Sequence, residues 1–153
     1  MAEEQPPSLQ IEKIYVKDAS LEIPGAPQVF LEPQGPQLEI QVRNEFAQFA
    51  DALYEVAVIV TVTAKAGEKV LFLAEAAQAG IFSVRGVPQE DLEPLLAVAC
   101  PTILYPYARE TISDLVTRGG FPPVLLAPVS FEALYAQRMQ RKAAAGPRIE
   151  VAS

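Results

Sequence analysis

Alternating hydrophobic and polar residues predict β-strands in the first half of the chain. Leu38–Arg43 alternates strictly, which is the period of a half-buried strand. Leu53–Ala64 carries an apolar residue at every second position along one face: Tyr54, Val56, Val58, Val60 and Val62. A hairpin turn at Lys65–Glu68 then leads into a further strand over Val70–Phe82. Strands joined in this way indicate an antiparallel sheet.

Leu9–Ile23 is rich in β-branched and aromatic residues and lacks helix caps, so it predicts the first strand. An unbroken two-residue period would place five residues on one face: Ile14, Val16, Asp18, Ser20 and Glu22. The next stretch, Pro24–Pro36, combines four prolines with two glycines. We expect it to be a long crossover loop that is neither helix nor strand, and such loops are more often functional than idle.

The second half of the chain predicts three helices. Gln89–Ala99 is short and begins with acidic residues, whereas Cys100–Phe121 has a longer apolar period that ends in two glycines. Within it, Pro106 lacks an N–H, so we expect a kink or a restart there. Phe131–Ala145 is preceded by Ser130 as a capping residue. Strands followed by helices predict an α+β domain, with the helices packed on one face of the four-stranded antiparallel sheet.

The helix within Cys100–Phe121 is predicted to be amphipathic. Its apolar arc consists of Ile103, Leu104, Tyr107, Ala108, Thr111, Ile112, Leu115 and Val116. The opposite polar arc, called the interface arc below, consists of Arg109, Glu110, Ser113, Asp114 and Thr117. The apolar arc suits the core of the domain. The interface arc suits either solvent or another subunit.

The composition is that of one globular domain. The chain has 153 residues and a net charge of -7, which disfavours nucleic acid as a partner. We expect tails at residues 1–8 and 146–153 around a single domain at residues 9–145. One cysteine, no apolar run of membrane-spanning length and no secretion signal predict a soluble cytoplasmic protein.

The residues that usually carry catalysis are scarce. The chain has no histidine, and its one cysteine, Cys100, stands beside a proline. Neither a phosphate-binding glycine loop nor a set of metal ligands is apparent, so no cofactor or metal is expected. Asp18 and Glu22 would lie roughly 13 Å apart along a strand, too far for a glycosidase pair. A small enzyme or ligand-binding domain with an apolar pocket is therefore the weaker alternative.

Five segments in order along the chain resemble the SecB family of bacterial protein-export chaperones. They are Ile14–Pro27 (IYVKDASLEIPGAP), Val60–Ala64 (VTVTA), Gly80–Val84 (GIFSV), Cys100–Glu110 (CPTILYPYARE) and Arg118–Tyr135 (RGGFPPVLLAPVSFEALY). The resemblance implies an ATP-independent holdase that binds unfolded preproteins and delivers them to the SecA motor. It also implies a homotetramer built as a dimer of dimers, in which the interface arc lies between the dimers.

The resemblance implies two binding surfaces. The acidic face, which would receive the small, basic, zinc-bearing C-terminal segment of SecA, consists of Asp18, Glu22, Leu73 and Glu75. The zinc belongs to that partner. The client groove, which would hold unfolded chains, consists of Leu38, Ile40, Val42, Leu134, Tyr135 and Met139. No nucleic acid and no membrane insertion is expected.

Two features depart from the family pattern. The crossover loop lacks the tryptophan of some relatives, and the C-terminal tail is short and basic. The role of that tail in binding SecA stays open. A SecB-like chaperone dedicated to a narrow client, such as a toxin–antitoxin pair, is the alternative function.

Overall fold

A four-stranded antiparallel sheet forms the centre of the domain. The computed structural model describes residues 6–31 and 35–144. Its strands are β1 (Ser8–Glu22), β2 (Gln37–Ala50), β3 (Leu53–Ala66) and β4 (Lys69–Arg85). They lie in the order β1-β4-β3-β2, so β1 and β2 are the two edges. Each of the three neighbouring pairs is antiparallel.

The hairpin strands follow the predicted pattern but are longer. Val56, Val58 and Val60 of β3 are fully buried in the main core, as the alternation predicted. β2 continues to Ala50, seven residues beyond the predicted end at Arg43. The polar Asn44 interrupts the apolar pattern on the core-facing side of β2, which is why the sequence understated this strand.

β1 does not keep one face along its length. Its register against β4 shifts between Ile11 and Lys13 and again between Val16 and Asp18. Ile14 and Leu21 both pack against the main core, although they are seven positions apart, which in a regular strand would place them on opposite faces. Such a β-bulge moves the following residues to the other face. The prediction that Ile14 and Asp18 share a face is therefore wrong.

The first two helical segments form one continuous helical stretch. α1 (Gln89–Pro94) passes through a π-helical turn at Leu95–Ala99 directly into α2 (Cys100–Arg118). α2 begins at Cys100 as predicted, but no break in the helical backbone separates it from the preceding turn. Of the kink or restart expected at Pro106, the restart is wrong, since α2 continues through this residue. It ends as predicted, because the N–H of Gly119 donates to Leu115 and Val116.

α2 packs its apolar arc on the sheet, mainly on β4 and β3. Leu104, Ile112 and Val116 are fully buried, as predicted. Tyr107 was placed in this arc wrongly, since it is 49% exposed. Tyr105 is buried instead, and its hydroxyl donates to the carbonyl of Ala127 at 2.6 Å. The segment after α2 thus decides which tyrosine faces inward.

α3 (Phe131–Ala144) is the last described element, and the predicted final residue Ala145 lies outside the described residues. As predicted, the hydroxyl of Ser130 caps it by accepting from the N–H of Ala133 at 3.1 Å. Phe131 is buried edge-on against Tyr105. Within residues 6–31 and 35–144, no helix has the length and apolarity to cross a membrane.

Residues 24–31 of the crossover loop are held in place by their own apolar side chains. Gln28–Leu31 forms a 3₁₀ turn, which corrects the prediction of a loop without helix. Val29 is fully buried, and the ring of Phe30 lies 5.3 Å from that of Phe121. The loop is therefore anchored to the segment that follows α2.

Candidate functional site: an acidic sheet face and an apolar groove

The acidic face lies on the side of the sheet opposite α2. Ser20, Glu75 and Thr61 form one cross-strand row over β1, β4 and β3. Asp18 pairs with Ala77 in the next row on one side, and Glu22 pairs with Leu73 in the row on the other side. Strand geometry places the Cα atom of Glu75 about 8 Å from the Cα atoms of both Asp18 and Glu22.

The structure brings three of the four predicted residues around one concavity. Glu22, Leu73 and Glu75 line a depression of about 160 Å³, together with Ser20, Thr61 and Ala74. Asp18 is exposed in the adjoining row and does not line it. The hydroxyl of Thr61 donates to Oε2 of Glu75 at 2.8 Å. This surface offers carboxylate and hydroxyl oxygens, which suit a cationic side chain.

A tightly bonded charged cluster lies further along the same sheet face. Lys17 donates to Oε1 of Glu55 at 2.6 Å, and the hydroxyl of Tyr15 donates to Oε2. The hydrogen bond from Lys17, followed by that from Tyr15, lowers the pKa of Glu55. Burial, followed by the hydrogen bond to Glu55, raises the pKa of Tyr15 to about 12. This cluster holds the positive charge of Lys17, the residue beside Asp18, on a partner carboxylate.

Sequence reasoning missed Glu55 because the residue lies inside the most hydrophobic strand pattern. It is on the face of β3 opposite to the buried valines, between the apolar residues Leu53 and Ala57. No local signal connects it to β1, which reaches it across β4.

The β2 part of the client groove is an exposed apolar edge. Leu38 and Ile40 are 42% and 44% exposed, and Val42 is half-buried. Leu38 lines a hollow of about 230 Å³ whose other lining residues come mainly from the segment after α2: Pro36, Phe72, Phe121, Pro122, Pro123 and Val124. This edge can accept apolar side chains.

The α3 part of the groove meets β2 at a different point. Arg138 donates to the side-chain oxygen of Asn44 at 3.0 Å, and Asn44 donates to the carbonyl of Ala97 at 3.2 Å. Asn44 follows Val42 on the same face of β2 and lies about 20 Å from Leu38 along the strand. The helix is thus joined to the middle of β2.

The predicted α3 residues line the surface only in part. Leu134 packs against the main core, and the hydroxyl of Tyr135 donates to Glu93 at 3.4 Å. Met139 is half-buried. Within the described residues, none of these three lines the hollow at Leu38. The structure therefore does not bring the six groove residues together around one pocket.

A second apolar hollow at the far end of β2 was missed. It has a volume of about 410 Å³ and is lined by Phe46, Ala47, Gln48, Tyr54, Gln89, Leu92, Glu93 and Leu96. The signal that could have found it is Phe46, which resumes the apolar alternation two residues after Asn44. Its aromatic and aliphatic walls extend the apolar surface along β2.

The interface arc is less polar than its sequence indicates. The guanidinium of Arg109 lies 5.4 Å over the ring of Tyr105, and Arg118 bonds Asp114 at 3.1 Å. Arg109, Glu110 and Ser113 line a hollow of about 300 Å³, together with Pro106, Val124, Leu125 and Leu126. Leu125 is 87% exposed at its rim. The arc thus combines hydrogen-bonding groups with exposed apolar surface.

The one cysteine is not an activated nucleophile. Cys100 is fully buried, and burial raises its pKa to about 12. Its thiol therefore stays protonated at neutral pH, and the thiolate is the reactive form.

Comparison with known proteins agrees with the family that the sequence resembles. The family model "Preprotein translocase subunit SecB" matches residues 2–142. Protein-export protein SecB of Methylobacillus flagellatus is 60% identical over 144 residues, which is 94% of this chain and 92% of that protein. Protein-export protein SecB of Chromobacterium violaceum is 58% identical over 148 residues, covering 95% and 99%.

A solved structure shows the same fold at low sequence identity. It is the Mycobacterium tuberculosis SecB-like chaperone in complex with a ChAD peptide from the HigA1 antitoxin, with a TM-score of 0.66 and 22% identity. The match covers 79% of this chain and 90% of that one. Because the family model spans nearly the whole chain and two export proteins are 58% and 60% identical to it, the chain belongs to the SecB family of protein-export chaperones.

Proposed function

We propose that this chaperone is an ATP-independent holdase that binds unfolded preproteins and delivers them to SecA. The observation that carries the proposal is the exposed apolar edge at Leu38 and Ile40 in a chain of the SecB family. Exposed apolar surface of this kind usually marks an interaction site. Holding requires only that the chaperone binds the unfolded chain, so no nucleotide enters the mechanism.

The client groove binds side chains at irregular spacing. Leu38, Ile40 and Val42 offer aliphatic contacts along β2, and Leu134, Tyr135 and Met139 offer contacts along α3. The flexible thioether of Met139 adapts to different shapes. The separate hollows along β2 let one extended client place several side chains at once.

The acidic face receives the basic C-terminal segment of SecA. Glu22, Leu73 and Glu75 surround one depression, and Asp18 adds a charge in the next row. Opposite charges speed the encounter, and Leu73 adds an apolar contact. The zinc of that segment stays with SecA.

Four copies assemble as a dimer of dimers in the cytoplasm, where preproteins await export. The interface arc, with its hollow rimmed by Leu125, lies between the dimers. A tetramer presents several grooves to one client, which raises its avidity without new contacts. The domain of residues 9–145 is extended by Ser8, where β1 begins, whereas most of the expected tail at residues 1–8 and all of that at residues 146–153 lie outside the described residues.

A chaperone dedicated to one toxin–antitoxin pair is the second candidate. Its support is the shared fold with the Mycobacterium tuberculosis chaperone that was solved with an antitoxin peptide. That likeness, at 22% identity, concerns the fold alone. The two export proteins at 58% and 60% identity favour general export.

Charge reversal on the acidic face tests the hand-over to SecA. Asp18→Lys or Glu75→Lys is expected to weaken binding of SecA by about tenfold or more, since a repulsive charge replaces an attractive one. Titration calorimetry measures this, and native mass spectrometry checks that the oligomer is unchanged. Glu39→Lys, on β2 of the same sheet face, is the control. Loss of the oligomer with Glu75→Lys would show that these residues serve assembly.

A further inference from the structure

Thr61 is the one residue of β3 whose side chain bonds a carboxylate of the acidic face, within the part of the chain that the structure describes. Its hydroxyl lies 2.8 Å from Oε2 of Glu75, its direct cross-strand neighbour. Both residues are half-buried and line the same depression. Thr61 is not among the four residues that the family resemblance assigns to the acidic face.

The bond restricts the most flexible member of the row. A glutamate side chain loses considerable rotamer freedom when a partner binds it. Threonine is β-branched and stiff at χ1, so its hydroxyl is a donor of fixed position. By holding Oε2, Thr61 leaves Oε1 of Glu75 to a ligand. A carboxylate already oriented before binding costs less free energy to engage.

We infer that Thr61 is a positioning residue that pre-orients the Glu75 carboxylate for the basic segment of SecA. This rests on the proposed docking of SecA at the acidic face. The inference adds a residue of β3 to the acidic face, whose other members lie on β1 and β4. Thr61 acts through Glu75, so its effect depends on the carboxylate.

The test uses the full chain and SecA in titration calorimetry. Thr61→Val removes the hydroxyl but keeps the β-branched shape and strand propensity. It is expected to weaken SecA binding by about 3- to 10-fold, the range for one lost hydrogen bond. Thr61→Ser, which keeps a hydroxyl, is expected to stay within about twofold of the unchanged protein.

A double-mutant cycle with Glu75→Gln separates positioning from packing. If Thr61 acts through the carboxylate, Thr61→Val adds less than about a twofold loss in the Glu75→Gln background. Fully additive losses would overturn the inference. Thr63→Val is the matched control, because Thr63 lies one row further along the same face, beside Leu73.

The outcomes also separate this inference from the proposed function. If Glu75→Gln weakens SecA binding and Thr61→Val does not, docking at the acidic face stands and the role of Thr61 is wrong. If neither change affects binding, SecA docks elsewhere and both proposals fail. Thr61→Ala, with melting curves of all variants, provides the same comparison if Thr61→Val is poorly folded.

Discussion

At the scale of single residues, Glu55 is a carboxylate held by two side-chain hydrogen bonds. It accepts hydrogen bonds from Lys17 and Tyr15, and the bond from Lys17 lowers its pKa below the ordinary value of 4.5. A carboxyl whose pKa is lowered on folding stabilises the folded state above its unfolded pKa. That contribution is lost as the pH falls through the folded pKa.

Glu55→Gln is therefore expected to lower the melting temperature slightly at pH 7. The difference from the unchanged protein is expected to shrink as the pH falls from the ordinary value of 4.5 towards the lowered pKa of the folded carboxyl. Thermal unfolding of both proteins between pH 3 and 8 measures the difference in melting temperature. Glu39→Gln, which breaks a looser and more exposed ion pair to Lys65 at 3.4 Å, is the control. A difference that is constant with pH would contradict the ionic contribution.

How far the sequence predicts single residues depends on how local their environment is. The cap of Ser130 and the buried face of β3 follow from short-range patterns, and both are confirmed. Whether Tyr105 or Tyr107 is buried depends on the position of Ala127, which a helical wheel does not include. The coupling of Tyr15 to Glu55 spans 40 positions and could not be predicted.

At the scale of elements, the structure differs from the predictions where one residue is added to a regular repeat. The bulge between Val16 and Asp18 shifts the face of β1 with no proline or glycine to mark it. Gln78 stabilises this region, since its amide donates to the carbonyl of Tyr15 at 3.2 Å and its oxygen accepts from Thr111 at 2.8 Å. The π-helical turn at Leu95–Ala99 likewise carries no signal in the hydrophobic pattern.

α2 contributes to stability mainly through its buried arc. Ile112→Ala is expected to lower the free energy of unfolding by about 2–5 kcal/mol, because it leaves a cavity between helix and sheet. Denaturant unfolding at a fixed protein concentration measures the loss. Leu31→Ala, at a position that is 87% exposed, is expected to change it by less than about 0.5 kcal/mol. Equal effects would mean that α2 does not pack on the sheet as described.

At the scale of the whole molecule, the apolar edge along β2 explains how a small domain could hold many different clients. Ile40→Asp with Val42→Asp is expected to weaken binding of an unfolded protein by about tenfold, because two carboxylates replace apolar contacts. Gln37→Asp with Gln41→Asp adds the same charge to the opposite face of β2 and is the control. Fluorescence titration with a labelled unfolded client measures both.

Ile40→Asp alone keeps this prediction testable if the change at half-buried Val42 disturbs folding. An unchanged affinity with well-folded variants would remove β2 from the client groove.

The assembly of subunits could not be predicted from the pattern of one chain. The sequence pattern indicates only that the interface arc is polar, and it is the resemblance to a family that implies a contact between subunits there.

The most direct test of the central claim is the refolding of a slow-folding precursor diluted from denaturant, without nucleotide, in the presence of this protein. The account predicts that folding and aggregation are suppressed near one tetramer per precursor. Addition of SecA then relieves the block. A precursor that refolds at its unassisted rate would contradict the export-chaperone function, and a dedicated client would then be the better explanation.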